Sequence, residues 1–161
     1  MVFSLTNGGF MQKFVAVVEC AIEFDGKILL IRRPNGVHAG GLLSFPGGKV
    51  ECFDGGKNTD ILINTVKREI LEEVGLDLID PIHFVTSSYF KESDTVDVLD
   101  MIFYCNIENS RAEVIPSYRE VPEYFWLTIE EALTHNKTED WLKHYISCVD
   151  KKRKLLEPLG Q

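Results

Sequence analysis

Hydrophobic and polar positions along the chain predict strands and helices that alternate. Apolar residues run almost unbroken from Phe14 to Phe24, a pattern typical of a strand buried on both faces. The dipeptide Asp25-Gly26 predicts a tight turn, after which Lys27 to Arg32 forms the returning strand of a hairpin. The chain therefore opens with two antiparallel strands of one sheet.

The remaining pattern adds a loop, more strands and helices. Glycine and proline punctuate the stretch from Pro34 to Gly48, which predicts a loop. Three further strands are predicted, at Ile82–Tyr89, Asp97–Ile107 and Phe125–Leu127. Three helices are predicted, at Asp60–Val74 with Gly75 as its cap, Thr128–Leu133 and Thr138–Leu156. Since strands and helices interleave while the opening hairpin is antiparallel, the fold class is predicted as α/β, a sandwich of helices around a mixed sheet.

Composition and charge narrow the class of protein. The 161 residues are 45% hydrophobic and 26% charged, which predicts one domain over residues 13–161, preceded by a loose, uncharged leader over residues 1–12. The net charge of −8 argues against nucleic acid polymers and anionic membranes as partners. Four widely spaced cysteines, with no targeting or membrane segment, predict reduced thiols and a cytoplasmic protein.

The helix predicted over Asp60–Val74 carries the most informative side chains. Glu69, Glu72 and Glu73 stand at positions i, i+3 and i+4, so three carboxylates share one face. Like charges at this spacing destabilise a helix by roughly a few tenths of a kcal/mol per pair, so a compensating cation is expected. Arg68 reaches Glu72 at i+4, and Mg²⁺ binds through carboxylates and substrate phosphates. A solvated acidic face is the alternative.

The second half of this helix and a segment that precedes it together favour metal binding. Residues from Phe45 to Glu51 read FPGGKVE, and residues from Arg68 to Leu76 read REILEEVGL. They resemble the Nudix box, G-x5-E-x7-R-E-U-x-E-E-x-G-U with U aliphatic, and the right half fits at every fixed position. The resemblance implies a Nudix-type α/β/α sandwich with a mixed β-sheet. It also implies Mg²⁺, or Mn²⁺ in its place, held by Glu69, Glu72, Glu73 and the carbonyl of Gly47.

The left half of the box departs from the family pattern. Counted forward from Gly48, the box wants Glu at position 54 and Arg at position 62, where the chain has Asp54 and Leu62. The loop therefore carries six extra residues, the distance from Leu62 to Arg68. Counted backward from Arg68, the first Glu of the box becomes Asp60, and the rigid helix spacing favours this count. Capping of the helix is the rival role of Asp60.

Residues upstream of the box resemble the MutT-like branch, the nucleoside triphosphate pyrophosphohydrolases. The resemblance is carried by the pair Arg32-Arg33, by His38 and by the Phe-Pro-Gly-Gly run that begins at Phe45. It implies that Arg33 and His38 approach the phosphates of a nucleotide and that Phe45 lies near the base, roles that suit a guanidinium and an aromatic ring. A surface charge, an inert loop histidine and a core phenylalanine are the respective alternatives.

A further carboxylate is expected from a distant loop. Glu120 lies six residues before Trp126, the spacing at which the MutT-like branch places a loop glutamate for metal binding or general-base catalysis. Glu123 is its competitor, and a solvated loop charge is the alternative for either residue.

Together these features imply a Mg²⁺-dependent pyrophosphohydrolase that cleaves a nucleoside triphosphate, with 8-oxo-dGTP a candidate, to a monophosphate and pyrophosphate. Glu72, Glu73, Arg68 and Glu120 are its expected catalytic residues, and either Glu73 or Glu120 deprotonates the attacking water. The alternatives are an ADP-ribose or nucleotide-sugar pyrophosphatase of the same fold and a non-catalytic Nudix-like nucleotide sensor. The expected partner is a small nucleotide, with no nucleic acid polymer and no membrane, and a homodimer is left open.

Overall fold

In a computed structural model that describes residues 12–57, 60–79, 81–107 and 113–157, the chain forms a seven-stranded sheet with helices on both faces. The strands are β1 (Phe14–Phe24), β2 (Lys27–Arg32), β3 (Leu43–Ser44), β4 (Gly47–Lys49), β5 (His83–Ser93), β6 (Val96–Asn106) and β7 (Glu123–Leu127). The helices are α1 (Ile61–Val74), α2 (Ile129–Thr134) and α3 (Asp140–Leu156), and a short 3₁₀ helix spans Cys52–Gly55.

Strand β1 is the centre of the sheet. It runs parallel to β6, from the pair Phe14 and Asp97 to the pair Glu23 and Asn106, and antiparallel to β2 and β4. The strand order is β3-β2-β1-β6-β5, with β7 paired to β2. One parallel pair among antiparallel ones makes the sheet mixed, which confirms the predicted α/β sandwich.

The two faces of β1 belong to two separate cores. Val18 and Cys20 pack on one face with residues of α1 that include Ile70. Ala21 packs on the other face with residues of α3 that include Ile146. The unbroken apolar run of β1 follows from this double burial, since a strand covered on both sides cannot alternate between apolar and polar positions.

The predicted turn and helix end both form through left-handed backbone. Asp25 and Gly26 have φ angles of 50° and 73°, as a two-residue hairpin requires. Gly75 has a φ of 72°, and its N–H donates to the carbonyl of Leu71 at 3.1 Å to close α1.

Elements differ from the prediction where the hydrophobic pattern is weak. Strand β5 continues to Ser93, four residues past the predicted end. The hydrophobic pattern does not show this extension, because Lys91 and Glu92 are polar residues exposed on the edge strand of the sheet. Strands β3 and β4 lie in the stretch predicted as a loop, and they are too short to show a period of two. Helix α3 begins at Asp140 rather than Thr138, since Thr138 is buried in the preceding turn.

The predicted leader lies outside the described residues except for Gln12, whose side chain donates to Asp97 Oδ2 at 3.2 Å. In the described part of the chain, none of the helices has the length and apolar character needed to cross a membrane.

Candidate active site

Helix α1 meets β4 at a backbone approach that requires glycine. The carboxylate of Glu69 lies over Gly48, where an added Cβ would be 2.4 Å from Glu69 Cδ. A Cβ on Gly47 would be 2.0 Å from the carbonyl oxygen of Val18 in β1. The N–H of Gly47 donates to Glu73 Oε2 at 2.8 Å. Two carboxylates of α1 therefore rest directly on the backbone of β4.

Arg68 is held by a buried carboxylate from the 3₁₀ helix. Its Nε donates to Asp54 Oδ1 at 2.7 Å and its Nη2 to Asp54 Oδ2 at 2.9 Å, a two-pronged ion pair. The carboxylate of Asp54 also accepts from the N–H of Glu51 at 3.0 Å and from the hydroxyl of Thr65 at 2.9 Å. These donors, Arg68 first, hold the pKa of Asp54 well below its usual range. The ring of Phe53 covers the guanidinium at 5.3 Å.

This pairing corrects the sequence count of the box. Asp54, the residue found by counting forward from Gly48, is the one that reaches Arg68. Asp60 is the N-cap residue of α1, but it is exposed, has a φ of 60° and makes no side-chain cap bond. The extra residues therefore lie between Asp54 and α1. The backward count relied on the rigid spacing within the helix. The 3₁₀ helix before the insertion is anchored equally well, through Asp54, so it keeps the spacing counted forward from Gly48.

Arg68 in turn joins two of the three predicted carboxylates. Its Nη1 donates to Glu69 Oε1 at 2.7 Å and to Glu72 Oε2 at 3.1 Å. Its Nη2 donates to the carbonyl of Lys49 at 3.0 Å. The expected contact between Arg68 and Glu72 is thus present, and part of the compensating positive charge comes from within the chain. Because each nitrogen of its guanidinium donates to an oxygen within the chain, Arg68 positions the carboxylates.

The innermost carboxylates repel one another. Burial, together with the charges of Glu69 and Glu120, raises the pKa of Glu73 to about 8, against the lowering effects of the Gly47 N–H and the charge of Arg33. Burial also raises the pKa of Glu69, against the effect of its hydrogen bond from Arg68. The negative charges of Glu69, Glu73 and Glu120 therefore act on one another.

The loop that carries Glu120 is fastened to the end of α1. The N–H of Ser117 donates to the carbonyl of Glu73 at 2.8 Å, and the N–H of Ile115 donates to that of Val74 at 2.9 Å. Glu123, the competitor of Glu120, lies in β7 and pairs with Arg32 at 2.5 Å. Of the two loop acids, Glu120 is thus the one that acts on the α1 carboxylates.

The donor set suits a hard divalent cation. No three His, Cys, Asp or Glu side chains among the described residues already converge on one metal position. All the acids gathered here nevertheless offer oxygen ligands, and Mg²⁺ keeps part of its coordination for water and substrate phosphates. A cation would also relieve the repulsion that raises the pKa of Glu73.

A cavity of about 540 Å³ opens beside this cluster. One wall is β4, the same strand on which the carboxylates rest, and another is α3 with Trp141, His144 and Tyr145. Small-molecule sites in proteins typically enclose about 300–1,000 Å³ and are lined by aromatic side chains with a few polar groups. The cavity is therefore large enough for a nucleoside.

Two of the three residues predicted to bind substrate line this cavity. Arg33 donates from Nε to the carbonyl of His38 at 2.9 Å, and the ring of His38 stacks on Phe90 with centroids 5.3 Å apart. Phe45 is 1% exposed and lies in the core with Leu142 and Ile146 of α3, which is the alternative position given above.

Sequence reasoning missed two acids in the cavity, Glu19 of β1 and Asp100 of β6. They are 6% and 2% exposed. The available signal was the presence of acidic residues inside strongly hydrophobic strands, where an unpaired charge is costly.

Comparison with known proteins identifies the family. The model of the NUDIX domain matches residues 12–147. The chain belongs to the Nudix family. A CTP pyrophosphohydrolase from Escherichia coli (strain K12) is 40% identical over 66 residues, which are 41% of this chain and 44% of that protein. The match thus spans less than half of the length of this curated relative.

Solved structures show the same Nudix fold. The MutT protein from Methanosarcina mazei Go1 superposes with a TM-score of 0.72 at 24% identity, over 91% of this chain and 99% of that one. The NUDIX domain of Shewanella oneidensis NrtR, solved with ADP ribose, superposes with a TM-score of 0.69 at 16% identity, over 89% and 90%. At these identities the likeness is one of fold.

Proposed function

We propose that this Nudix protein is a divalent-metal-dependent pyrophosphohydrolase that cleaves a nucleoside triphosphate to a nucleoside monophosphate and pyrophosphate. The observation that carries the proposal is that the carboxylate cluster and the cavity meet on one stretch of backbone, Gly47–Gly48. A nucleotide with its base in the cavity would direct its phosphates towards Glu69 and Glu73.

Nudix hydrolases generally use divalent metals. In this chain Glu69, Glu72, Glu73 and Glu120, with the carbonyl of Gly47, are the groups that would hold Mg²⁺ or Mn²⁺. When bound, the cation would neutralise phosphate charge and lower the pKa of a coordinated water.

The chain's own residues supply orientation and proton transfer. Glu73 is fixed by the N–H of Gly47 and is the first candidate base for the attacking water. Glu120 is the second candidate base. Arg33, at the cavity wall, is the residue whose guanidinium suits phosphate oxygens.

A nucleoside triphosphate is favoured over ADP-ribose by the name of the 40% identical relative, a CTP pyrophosphohydrolase. The ADP ribose bound to the NrtR domain keeps ADP-ribose as the second candidate. We expect a nucleoside triphosphate, with 8-oxo-dGTP a candidate, to be hydrolysed faster than ADP-ribose.

The test is a comparison of kcat/KM for 8-oxo-dGTP, CTP, ADP-ribose and UDP-glucose with Mg²⁺, with the products separated by ion-exchange chromatography. The highest kcat/KM for a triphosphate, with pyrophosphate released, supports the proposal. A preference for ADP-ribose assigns the chain to the other pyrophosphatase group. Binding without turnover in both Mg²⁺ and Mn²⁺ would make it a nucleotide sensor.

A further inference from the structure

Glu19 and Asp100 form an acidic pair on the floor of the cavity. Asp100 pairs with Val17 and Glu19 with Ile102 in the parallel ladder of β1 and β6, so the acids lie on neighbouring strands. Both line the cavity, and each has one open oxygen. Glu19 Oε2 and Asp100 Oδ1 have no hydrogen-bond partner among the described residues.

The second oxygen of Asp100 is fixed by a polar chain. The hydroxyl of Tyr145 donates to Asp100 Oδ2 at 3.1 Å, and Ser88 contacts the same hydroxyl. The open Oδ1 is thereby held at the floor of the cavity. Burial raises the pKa of Glu19 and the charge of Asp100 raises it further, whereas the charge of Arg33 and the backbone N–H of Phe45 lower it.

A nearby buried acid, Glu23, has a partner for each of its carboxylate oxygens. Glu23 lies four residues further along β1, and it is 7% exposed. It accepts from the hydroxyl of Tyr104 at 2.7 Å and pairs with Arg153 at 3.3 Å, so each of its oxygens has a partner. Glu19 and Asp100 make no ion pair within the described residues. A purely structural acid would resemble Glu23, so the open oxygens point to a ligand.

The edges of the nucleobases differ in how they meet two acceptor oxygens. Cytosine, adenine and guanine each carry an exocyclic amino group, whose two N–H bonds can serve both oxygens. Uracil and thymine offer one N–H flanked by carbonyl oxygens, so a second acceptor would be left unpaired against a lone pair. The aromatic rings of Phe90 and Trp141 in the cavity wall are suited to stack on a base of either kind.

We propose that Glu19 and Asp100 are specificity-determining residues that accept hydrogen bonds from the amino group of a cytosine, adenine or guanine base and exclude uracil and thymine. The inference rests on the proposed function for its placement of the base in the cavity.

The sharpest test compares CTP with UTP, because the two differ at the base only in the group at position 4 and its neighbouring ring nitrogen. A site built for a hydrogen-bonding group discriminates strongly against an analogue that lacks it. We expect the ratio of kcat/KM, CTP over UTP, to be at least about tenfold in the wild type and to fall by about tenfold in E19Q and in D100N. In both variants kcat/KM for CTP should fall more than kcat/KM for UTP, whereas a collapsed fold would lower both equally.

E23Q is the matched control, because it neutralises a buried acid of the same strand outside this cavity and should leave the ratio unchanged. Equal kcat/KM for CTP and UTP in the wild type would overturn the inference, as would an unchanged ratio in both E19Q and D100N. Hydrolysis of no triphosphate would defeat the proposed function instead. Calorimetric titration with CMP and UMP would then test the role of the acidic pair separately from turnover. Equal affinities for the two monophosphates would contradict that role.

Discussion

Replacement of Asp54 by Asn tests the anchor of Arg68. Asp54 accepts two hydrogen bonds from Arg68, one from Thr65 and one from the N–H of Glu51, and its side chain is 3% exposed. An Asn side chain has the same shape but turns one acceptor into an NH₂ group and removes the most buried of the three carboxylates that pair with Arg68. Removing one member of a buried ion pair costs about 3–5 kcal/mol, and the remaining acceptor of Asn keeps part of it, so we expect a loss of about 2–4 kcal/mol.

The assay is urea unfolding followed by tryptophan fluorescence, with D60N as the matched control. Asp60 is exposed and makes no side-chain cap bond, and Asn tolerates its left-handed backbone. We expect D60N to change the free energy of unfolding by less than about 0.5 kcal/mol. A loss in D60N as large as that in D54N would refute the assignment of Asp54 as the partner of Arg68.

The pH dependence of stability tests the same ion pair independently. The pKa of Asp54 is lowered in the folded chain, chiefly by Arg68, so its contribution is complete above the unfolded pKa and is lost as pH falls. The stability gap between the wild type and D54N should therefore be constant near neutral pH and narrow below about pH 4. A gap that widens in acid contradicts the ion pair.

Three further predictions concern the carboxylate face. Glu73→Gln should lower kcat by about 10²–10⁴-fold with the fold retained, as checked by circular dichroism, and near wild-type turnover would remove Glu73 from the chemistry. Gly48→Ala should displace the Glu69 carboxylate and lower kcat/KM by about a hundredfold. Gly55→Ala, whose Cβ would be no closer than 3.6 Å to its neighbours, should leave kcat/KM nearly unchanged. Similar losses of kcat/KM in both variants would show that the close approach to Gly48 is unimportant. Removal of divalent metal with EDTA should abolish hydrolysis, and added Mg²⁺ should restore it and raise Tm; activity that survives chelation contradicts the metal assignment.

Much of the fold follows from patterns that are local in the sequence. The double burial of β1, the turn at Asp25-Gly26 and the end of α1 at Gly75 each depend on a few adjacent residues, and all three form as predicted. The last residue of β5 depends on its place at the sheet edge, and the first residue of α3 depends on the burial of Thr138; both are tertiary features. Strands β3 and β4 are set by pairing with distant partners, so no local period reveals them.

The candidate site was predictable only in part for the same reason. The three glutamates of α1 are one helical face, so their grouping is a matter of spacing. The choice of Asp54 over Asp60 depends on a three-dimensional contact across an insertion, and neither count along the chain contains it. Glu19 and Asp100 stand far apart in the sequence and meet only because β1 and β6 pair in parallel.

Strand β1 acts as a partition with a different task on each side. One face packs on α1, which holds the carboxylates, and the other face contributes Glu19 to the floor of the cavity. Alternation along a strand directs these two sets of side chains to opposite faces, so they pack separately even though the charges of Glu19 and Glu73 interact. Substitutions at the cavity positions of β1 and β6 can therefore reshape the proposed base site while the helix beyond the sheet keeps its packing. One strand thereby supports the proposed base site on one side and the proposed metal site on the other.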